Sequence, residues 1–171
     1  MGRNVEIKAR LSDPAGIRST LERLSGSPPE VLEQSDTFFS VPRGRLKLRM
    51  QGDRSELIYY ERPDLTSAKE SSYCIFPVER PDLLLEVLAP SIGIRGKVEK
   101  RRHLYRVGNT RIHLDEVKGL GGFIELEVVL DEGENVDDGA AIANRLMEKL
   151  GIAREDLVAC AYIDLLEGEG K

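Results

Sequence analysis

The sequence predicts an α+β fold: a closed eight-stranded antiparallel β-barrel, or tunnel, with helices packed outside it. Three observations carry this. Eight runs alternate with period two between closely spaced Gly and Pro residues, three segments switch to a helical period, and the alternating runs have one apolar and one strongly charged face. At 171 residues the chain fits one domain, with a core of residues 4–166, and no linker or repeat divides it.

The candidate strands are Asn4–Arg10, Glu33–Val41, Arg45–Gln51, Ser55–Arg62, Ala68–Pro77, Lys97–Arg106, Thr110–Lys118 and Gly122–Leu130. Gly52-Asp53 and Gly108-Asn109 fall where two-residue hairpin turns belong, and Gly119, Gly121 and Gly122 mark the last connection. Most strands are therefore antiparallel neighbours. Asp13-Pro14 supplies a cap and a first-turn proline to a helix with Ile17, Leu21 and Leu24 as its stripe. Pro81–Ala89 is a second helix. Asp137–Leu150 is a third, with Ile142, Leu146 and Leu150 in line and Gly151 as its stop. The tail Leu157–Leu166 is expected to be partly ordered and to pack through Tyr162, Leu165 and Leu166, and the acidic end Glu167–Lys171 to fray.

Composition narrows the function classes. Charged residues at 32% and hydrophobic ones at 40% are ordinary for a globular protein. A net charge of −5 argues against a general nucleic-acid or anionic-membrane binder, since both select a positive field. No apolar run approaches the roughly 18 residues of a membrane span, and the N-terminus has no apolar signal segment. Cys74 and Cys160 match neither a metal-ligand spacing nor a disulfide framework, so a cytoplasmic location is expected.

Alternation sorts the charges. Glu6, Lys8 and Arg10 share a face opposite Val5 and Ile7; Arg45, Lys47 and Arg49 oppose Leu46, Leu48 and Met50. Lys100 and Arg102 share a face, as do Arg111, His113 and Asp115, while Glu125 and Glu127 oppose Ile124, Leu126, Val128 and Leu130. One strand of this kind reads as the wet face of an antiparallel sheet. Together they read otherwise. The polar faces hold mainly Lys, Arg, Glu and Asp, with acids on the first and last strands and bases on the middle ones, and the helix stripes need the apolar sheet face as their partner. About eight strands also close a barrel wide enough for one small ligand. The charges then point inward, where they must pair with each other, with water or with a ligand, and a polyanion with its metal ions satisfies both signs.

Glu125-Leu126-Glu127 projects two carboxylates from one strand face, and Glu6 and Asp115 complete a partial oxygen shell suited to Mg²⁺ or Mn²⁺. Lys8, Lys47, Arg49, Lys100 and Arg102 are suited to surround a phosphate chain. Other candidates are weaker. Gly119-Leu120-Gly121-Gly122 reads as a turn, and Gly93–Lys97 lacks the spacing and hydroxyl residue of a phosphate-binding P-loop. His103 and His113 read as structural residues, and no elbow motif supports a Ser/His/Asp triad. Cys74 is expected to pack under a helix, opposite Lys69, Ser71 and Tyr73; Tyr59 and Tyr60 could stack on a base, although alternation gives at least one of them a structural role.

The segments Asn4–Arg10 (NVEIKAR), Gly44–Arg49 (GRLKLR), Tyr60–Pro63, Lys100–Arg102, Ile112–Val117 (IHLDEV) and Gly119–Glu127 (GLGGFIELE) resemble the CYTH, or triphosphate tunnel metalloenzyme, superfamily. The resemblance runs from residue 4 to the tail Tyr162–Leu166 and is nearest to the class IV adenylyl cyclase-like branch. It implies an eight-stranded tunnel, dependence on Mg²⁺ or Mn²⁺ and a small-molecule triphosphate substrate. By position, Glu6, Asp115, Glu125 and Glu127 match the family's metal-binding acids. Lys8, Lys47, Arg49, Arg62, Lys100 and Arg102 match its phosphate-binding bases, with Lys69 as an addition, and Glu6, Lys8 and Arg62 are the catalytic candidates. The family signature is Glu-x-Glu-x-Lys, and here Asn4 stands in place of the first Glu, keeping an oxygen donor but losing its charge. The implied activities are an adenylyl cyclase, an inorganic or thiamine triphosphatase, or a non-catalytic nucleotide- or polyphosphate-binding module. A homodimer is compatible with the architecture, though no residue demands one.

Overall fold

The computed structural model describes residues 1–168. In chain order the elements are β1 (Gly2–Leu11), α1 (Pro14–Ser25), β2 (Glu30–Phe39), β3 (Arg45–Gln51), β4 (Arg54–Glu61), β5 (Lys69–Pro77), α2 (Pro81–Ile92), β6 (Ile94–Val107), β7 (Thr110–Val117), β8 (Gly121–Leu130), α3 (Val136–Lys149) and α4 (Tyr162–Glu167), with a 3₁₀ turn at Arg154–Asp156. The predicted end Glu167–Lys171 lies partly outside the described residues.

The strands close into a barrel in the order β1-β5-β4-β3-β2-β6-β7-β8, every neighbouring pair antiparallel. Gly52 and Gly108 take positive φ (59° and 56°) at the first positions of the two tight hairpins, as a turn matched to the right-handed strand twist demands. The apolar core lies outside the wall. Val5, Ile7 and Ala9 of β1, with Ile112, Leu114, Ile124, Leu126 and Val128 of β7 and β8, pack against Ile17 and Leu21 of α1 and Ala143, Leu146 and Met147 of α3. Helix α3 comes so close that a Cβ on Gly139 would stand 2.9 Å from the side chains of Val5 and Leu130. This arrangement forces the opposite faces of the same strands into the lumen. A second apolar cluster, in which Phe38, Val98, Val117 and Phe123 meet Ala161, Tyr162 and Ile163, shuts one end. The rings of Phe123 and Tyr162 meet there edge to face, centroids 5.0 Å apart.

Some expectations are corrected. Helix α2 runs to Ile92, three residues past Ala89, because Pro90 falls in the last turn, where its missing N–H removes a single bond. None of its residues is fully buried: Leu84, Leu85 and Leu88 are partly covered where the helix meets β2, while Leu83 and Val87 are exposed. Its C-terminal Gly93 carbonyl accepts from Ser40 N at 3.1 Å, tying the helix to the barrel rim. Cys74 is exposed rather than covered: the helices pack mainly on β1, β8 and β6 and leave the outward face of β5 bare. In the tail, Tyr162 and Leu165 pack as expected and Ile163 joins them, while Leu166 is exposed. No helix among the described residues is long and apolar enough to cross a membrane.

Candidate functional site

Closure of the barrel turns the charged strand faces onto one cavity of about 340 Å³. Among the described residues, eight basic side chains line it (Lys8, Lys47, Arg49, Arg62, Lys100, Arg102, Arg106 and Arg111) against five acidic ones (Glu6, Asp36, Glu56, Glu125 and Glu127). The lumen is thus positive inside a chain that is net negative. Burying such charge is costly unless each group has a partner. Without a ligand, the partners come from the opposite sign.

At the centre, Asp36 of β2 serves three cations. Its oxygens accept from Lys47 Nζ at 3.0 Å, from Lys100 Nζ at 3.2 Å and from Arg49 Nε and Nη2 at 2.7 and 2.8 Å. Burial alone would raise the Asp36 carboxyl, but Lys100, Lys47 and Arg49 together hold it well below the usual carboxylate range. The crowding acts on the bases too. Burial first, and then the Arg49 charge, bring Lys47 down to about 7 in spite of Asp36.

On the facing wall, Glu125 Oε1 lies 3.2 Å from Lys8 Nζ and Glu125 Oε2 lies 2.9 Å from Arg102 Nη2. Glu127 Oε2 lies 2.9 Å from Arg111 Nη2, and Glu6 Oε1 2.8 Å from Arg62 Nε. Burial pushes the Glu6 carboxyl above its ordinary range; Arg62 opposes this, and the charges of Glu127 and Glu125 add to it. Glu127 moves the other way, because His113 and Arg111 outweigh its burial.

The deep end is stoppered by the chain segment leading into α4. The carbonyl of Ala159 accepts from Arg62 Nη1 at 2.8 Å and from Lys69 Nζ at 3.1 Å, and the carbonyl of Cys160 accepts from Lys8 Nζ at 3.2 Å. Burial, followed by the Arg62 charge, lowers Lys69 to about 8. Tyr162 enters the lumen, with Lys8 Nζ 4.0 Å from its ring centroid. Toward the other mouth the lining is mixed: the apolar Leu32, Leu104, Ile58 and Ile75 and the ring of Tyr73 stand with the charged Glu56, Arg106 and Arg111. Leu32 is six residues from Phe38 along β2, a span of about 20 Å.

The structure therefore brings Glu6, Lys8, Lys47, Arg49, Arg62, Lys100, Arg102, Glu125 and Glu127 to one cavity. It does not bring Asp115 or Lys69 to the lining. Asp115 is fully buried in the wall, where it accepts from Arg102 Nε and Nη2 at 2.7 and 2.6 Å and from the Tyr162 hydroxyl at 2.9 Å. Lys69 is turned onto the tail carbonyls. Tyr60 faces the lumen and Tyr59 does not, and His103 stands on the outward face of β6.

Sequence reasoning missed Asp36, Tyr162 and the place of His113. Asp36 breaks the expected segregation of acids from bases, and it was hidden because its strand face, Leu32-Gln34-Asp36-Phe38, mixes polar with apolar residues. His113, read as structural, pairs directly with Glu125 across β7 and β8. The ligand atoms of His113, Glu125 and Glu127 lie within 4.8 Å of one another, an arrangement that could hold a metal ion. Asn4 lines the same cavity, and its Oδ1 is buried with no hydrogen-bond partner.

Comparison with known proteins agrees with this geometry. The adenylate cyclase CyaB of Aeromonas hydrophila is 26% identical over 178 residues, covering 95% of this chain and 88% of that protein. Among solved structures, the PH1012 protein of Pyrococcus horikoshii OT3 is 26% identical with a TM-score of 0.83, covering 95% of this chain and 98% of its own. The Hippeastrum adenylyl cyclase-type protein HpAC1, whose dominant activity is that of a triphosphatase, shares the fold at 18% identity and a TM-score of 0.66, covering 98% of this chain and 97% of its own. The family's domain matches residues 2–162, nearly the whole barrel and its stopper, and the chain belongs to the CYTH domain family.

Proposed function

We propose that the tunnel binds a triphosphate with a divalent cation, Mg²⁺ or Mn²⁺, and converts ATP into cyclic AMP and pyrophosphate. The observation that carries this reading is the excess of buried bases over acids around one cavity, with every lining acid of its centre held by a base. Such pairs are exchangeable: an entering polyphosphate takes the bases, and the freed carboxylates take the cation.

The asymmetry of the lumen supports a nucleotide. Lys47, Arg49 and Lys100 converge at the centre, and the half-buried Leu32 and Leu104 with the buried Ile58 stand toward the open mouth, where a base and ribose would rest. In this reading the ribose 3′ oxygen bonds to the α-phosphorus as the bond from that phosphorus to the bridging oxygen of the β-phosphate breaks. The hydroxyl proton passes to Glu6, made more basic by burial. Lys8, Arg62, Lys47, Arg49, Lys100 and Arg102 together neutralise the charge of the triphosphate and hold the departing pyrophosphate. A cation held by Glu125 and Glu127 would supply charge neutralisation and a lowered pKa for the attacking hydroxyl.

A second reading, an inorganic or thiamine triphosphatase, is favoured by one feature. Lys47, Arg49 and Lys100, gathered around Asp36, suit a triphosphate whether or not it carries a nucleoside. Incubation with ATP, inorganic triphosphate and thiamine triphosphate, each with Mg²⁺ and with Mn²⁺, separates the readings by product. Cyclic AMP with pyrophosphate supports the cyclase, and orthophosphate release supports the triphosphatase. Binding of all three without turnover overturns both and leaves a polyphosphate-binding module, to which the neutral Asn4 lends its support.

A further inference from the structure

We propose that the cation site of this tunnel is a mixed nitrogen–oxygen site, with His113 as a ligand beside Glu125 and Glu127, which takes Mn²⁺ in preference to Mg²⁺. The inference rests on reading the tunnel as a divalent-cation site and adds the ligand set and its selectivity.

Geometry places the imidazole there. His113 sits opposite Glu125 in the β7–β8 register, next to the pair formed by Arg111 and Glu127, so the sheet fixes all three side chains on adjacent strands. Its Nδ1 lies 3.4 Å from Glu125 Oε2 and 3.8 Å from Glu127 Oε1. Adjacent donors around an octahedral ion at metal–ligand distances near 2.1 Å stand about 3 Å apart and opposite ones about 4 Å, so small rotations bring these atoms onto one ion. The side chain is almost fully buried, and no other acid or base competes with the two glutamates for Nδ1 at these distances among the described residues.

Asn4 is the second, independent observation. It faces the same cavity from β1, two residues before Glu6 on the same side of the strand, and is 97% buried with its Oδ1 unpartnered. A buried carbonyl oxygen without a donor is costly by itself, and a cation, or water bound to one, is the partner it lacks. His113 is a neutral donor beside the two carboxylates. The site is therefore less anionic than an all-carboxylate shell and includes an imidazole. Mg²⁺ binds oxygen almost exclusively and gains chiefly from negative charge, whereas first-row transition ions accept imidazole nitrogen readily.

The test is a titration of metal-free protein with MnCl₂ and with MgCl₂, alone and with inorganic tripolyphosphate, combined with pulsed EPR of the bound Mn²⁺. The expected result is tighter binding of Mn²⁺ than of Mg²⁺, with a ¹⁴N coupling from one directly bound imidazole. In His113→Asp that coupling disappears and the preference for Mn²⁺ falls by about tenfold or more. Bound Mn²⁺ without nitrogen coupling, in wild-type protein, overturns the inference and leaves the triphosphate reading intact. Absence of any cation binding, even with tripolyphosphate bound, overturns the metal-dependent reading as well. The wild-type spectrum decides the ligand set whether or not the variant folds.

Discussion

Asp36 and Arg49 face each other across β2 and β3 and are joined by two parallel hydrogen bonds of 2.7 and 2.8 Å in the middle of the tunnel. The same carboxylate also holds Lys47 and Lys100. One acid thus keeps three buried cations apart in the ligand-free protein, and a bound polyphosphate would share that task.

Removing the acid tests this. Asp36→Asn should destabilise the free protein by about 3–5 kcal/mol, the penalty for leaving buried charges without their partner. Saturating tripolyphosphate should restore more stability to the variant than to the wild type. Urea unfolding of both proteins with and without tripolyphosphate measures the difference.

Removing a base acts on binding instead. Arg49→Ala should weaken tripolyphosphate binding by about 2–5 kcal/mol, as expected for a buried charged contact. Glu127→Ala should abolish metal-dependent turnover while leaving tripolyphosphate binding within about tenfold of wild type, since it removes no base. Calorimetric titration and product assays on both variants separate the two effects. Unchanged kinetics for both would refute the site.

Binding should also take up protons. Lys47, at about 7, is largely neutral near pH 8, and phosphate oxygens beside it in the cavity raise it toward its ordinary value. Binding enthalpies measured in buffers of different ionisation enthalpy should show net uptake near pH 8, and affinity should fall as pH rises through 7. Stability of the free protein moves oppositely. The folded-state value of Lys47 lies below its unfolded value near 10.5, so between the two the unfolded chain binds the extra proton and this group's contribution to stability rises with pH.

Asn4→Glu restores the family signature and should raise cation affinity while lowering the stability of the metal-free protein. The new carboxylate would be buried near Glu6 without a base assigned to it. Thermal unfolding and Mn²⁺ titration check the two effects. If neither moves, the asparagine is merely tolerated.

The polarity of each wall was legible because pleating is local. Val5, Ile7 and Ala9 must leave β1 on the side opposite Glu6 and Lys8, whatever the rest of the chain does. The inward direction followed from the need to cover the apolar face, which α1 and α3 meet. Helix α2 shows where such reasoning stops, since it is only partly covered and Leu83 and Val87 stay exposed at the rim. Asp115 and His113 show it more sharply. Alternation puts both on one face of β7, yet Tyr162 and Arg102 enclose Asp115 in the wall while His113 stands level with Glu125 and Glu127.

The residues alone thus determined a barrel with a charged lining and the identities of most of its bases and acids, because side-chain alternation depends only on neighbours in the chain. Only the tertiary structure decided which acid meets which base, which mouth the tail shuts and which donors stand around one point. Those outcomes depend on pairings such as β1 with β5 and β2 with β6, across some 65 residues of sequence. They depend also on the level at which side chains from different strands meet across the lumen, which no local pattern encodes.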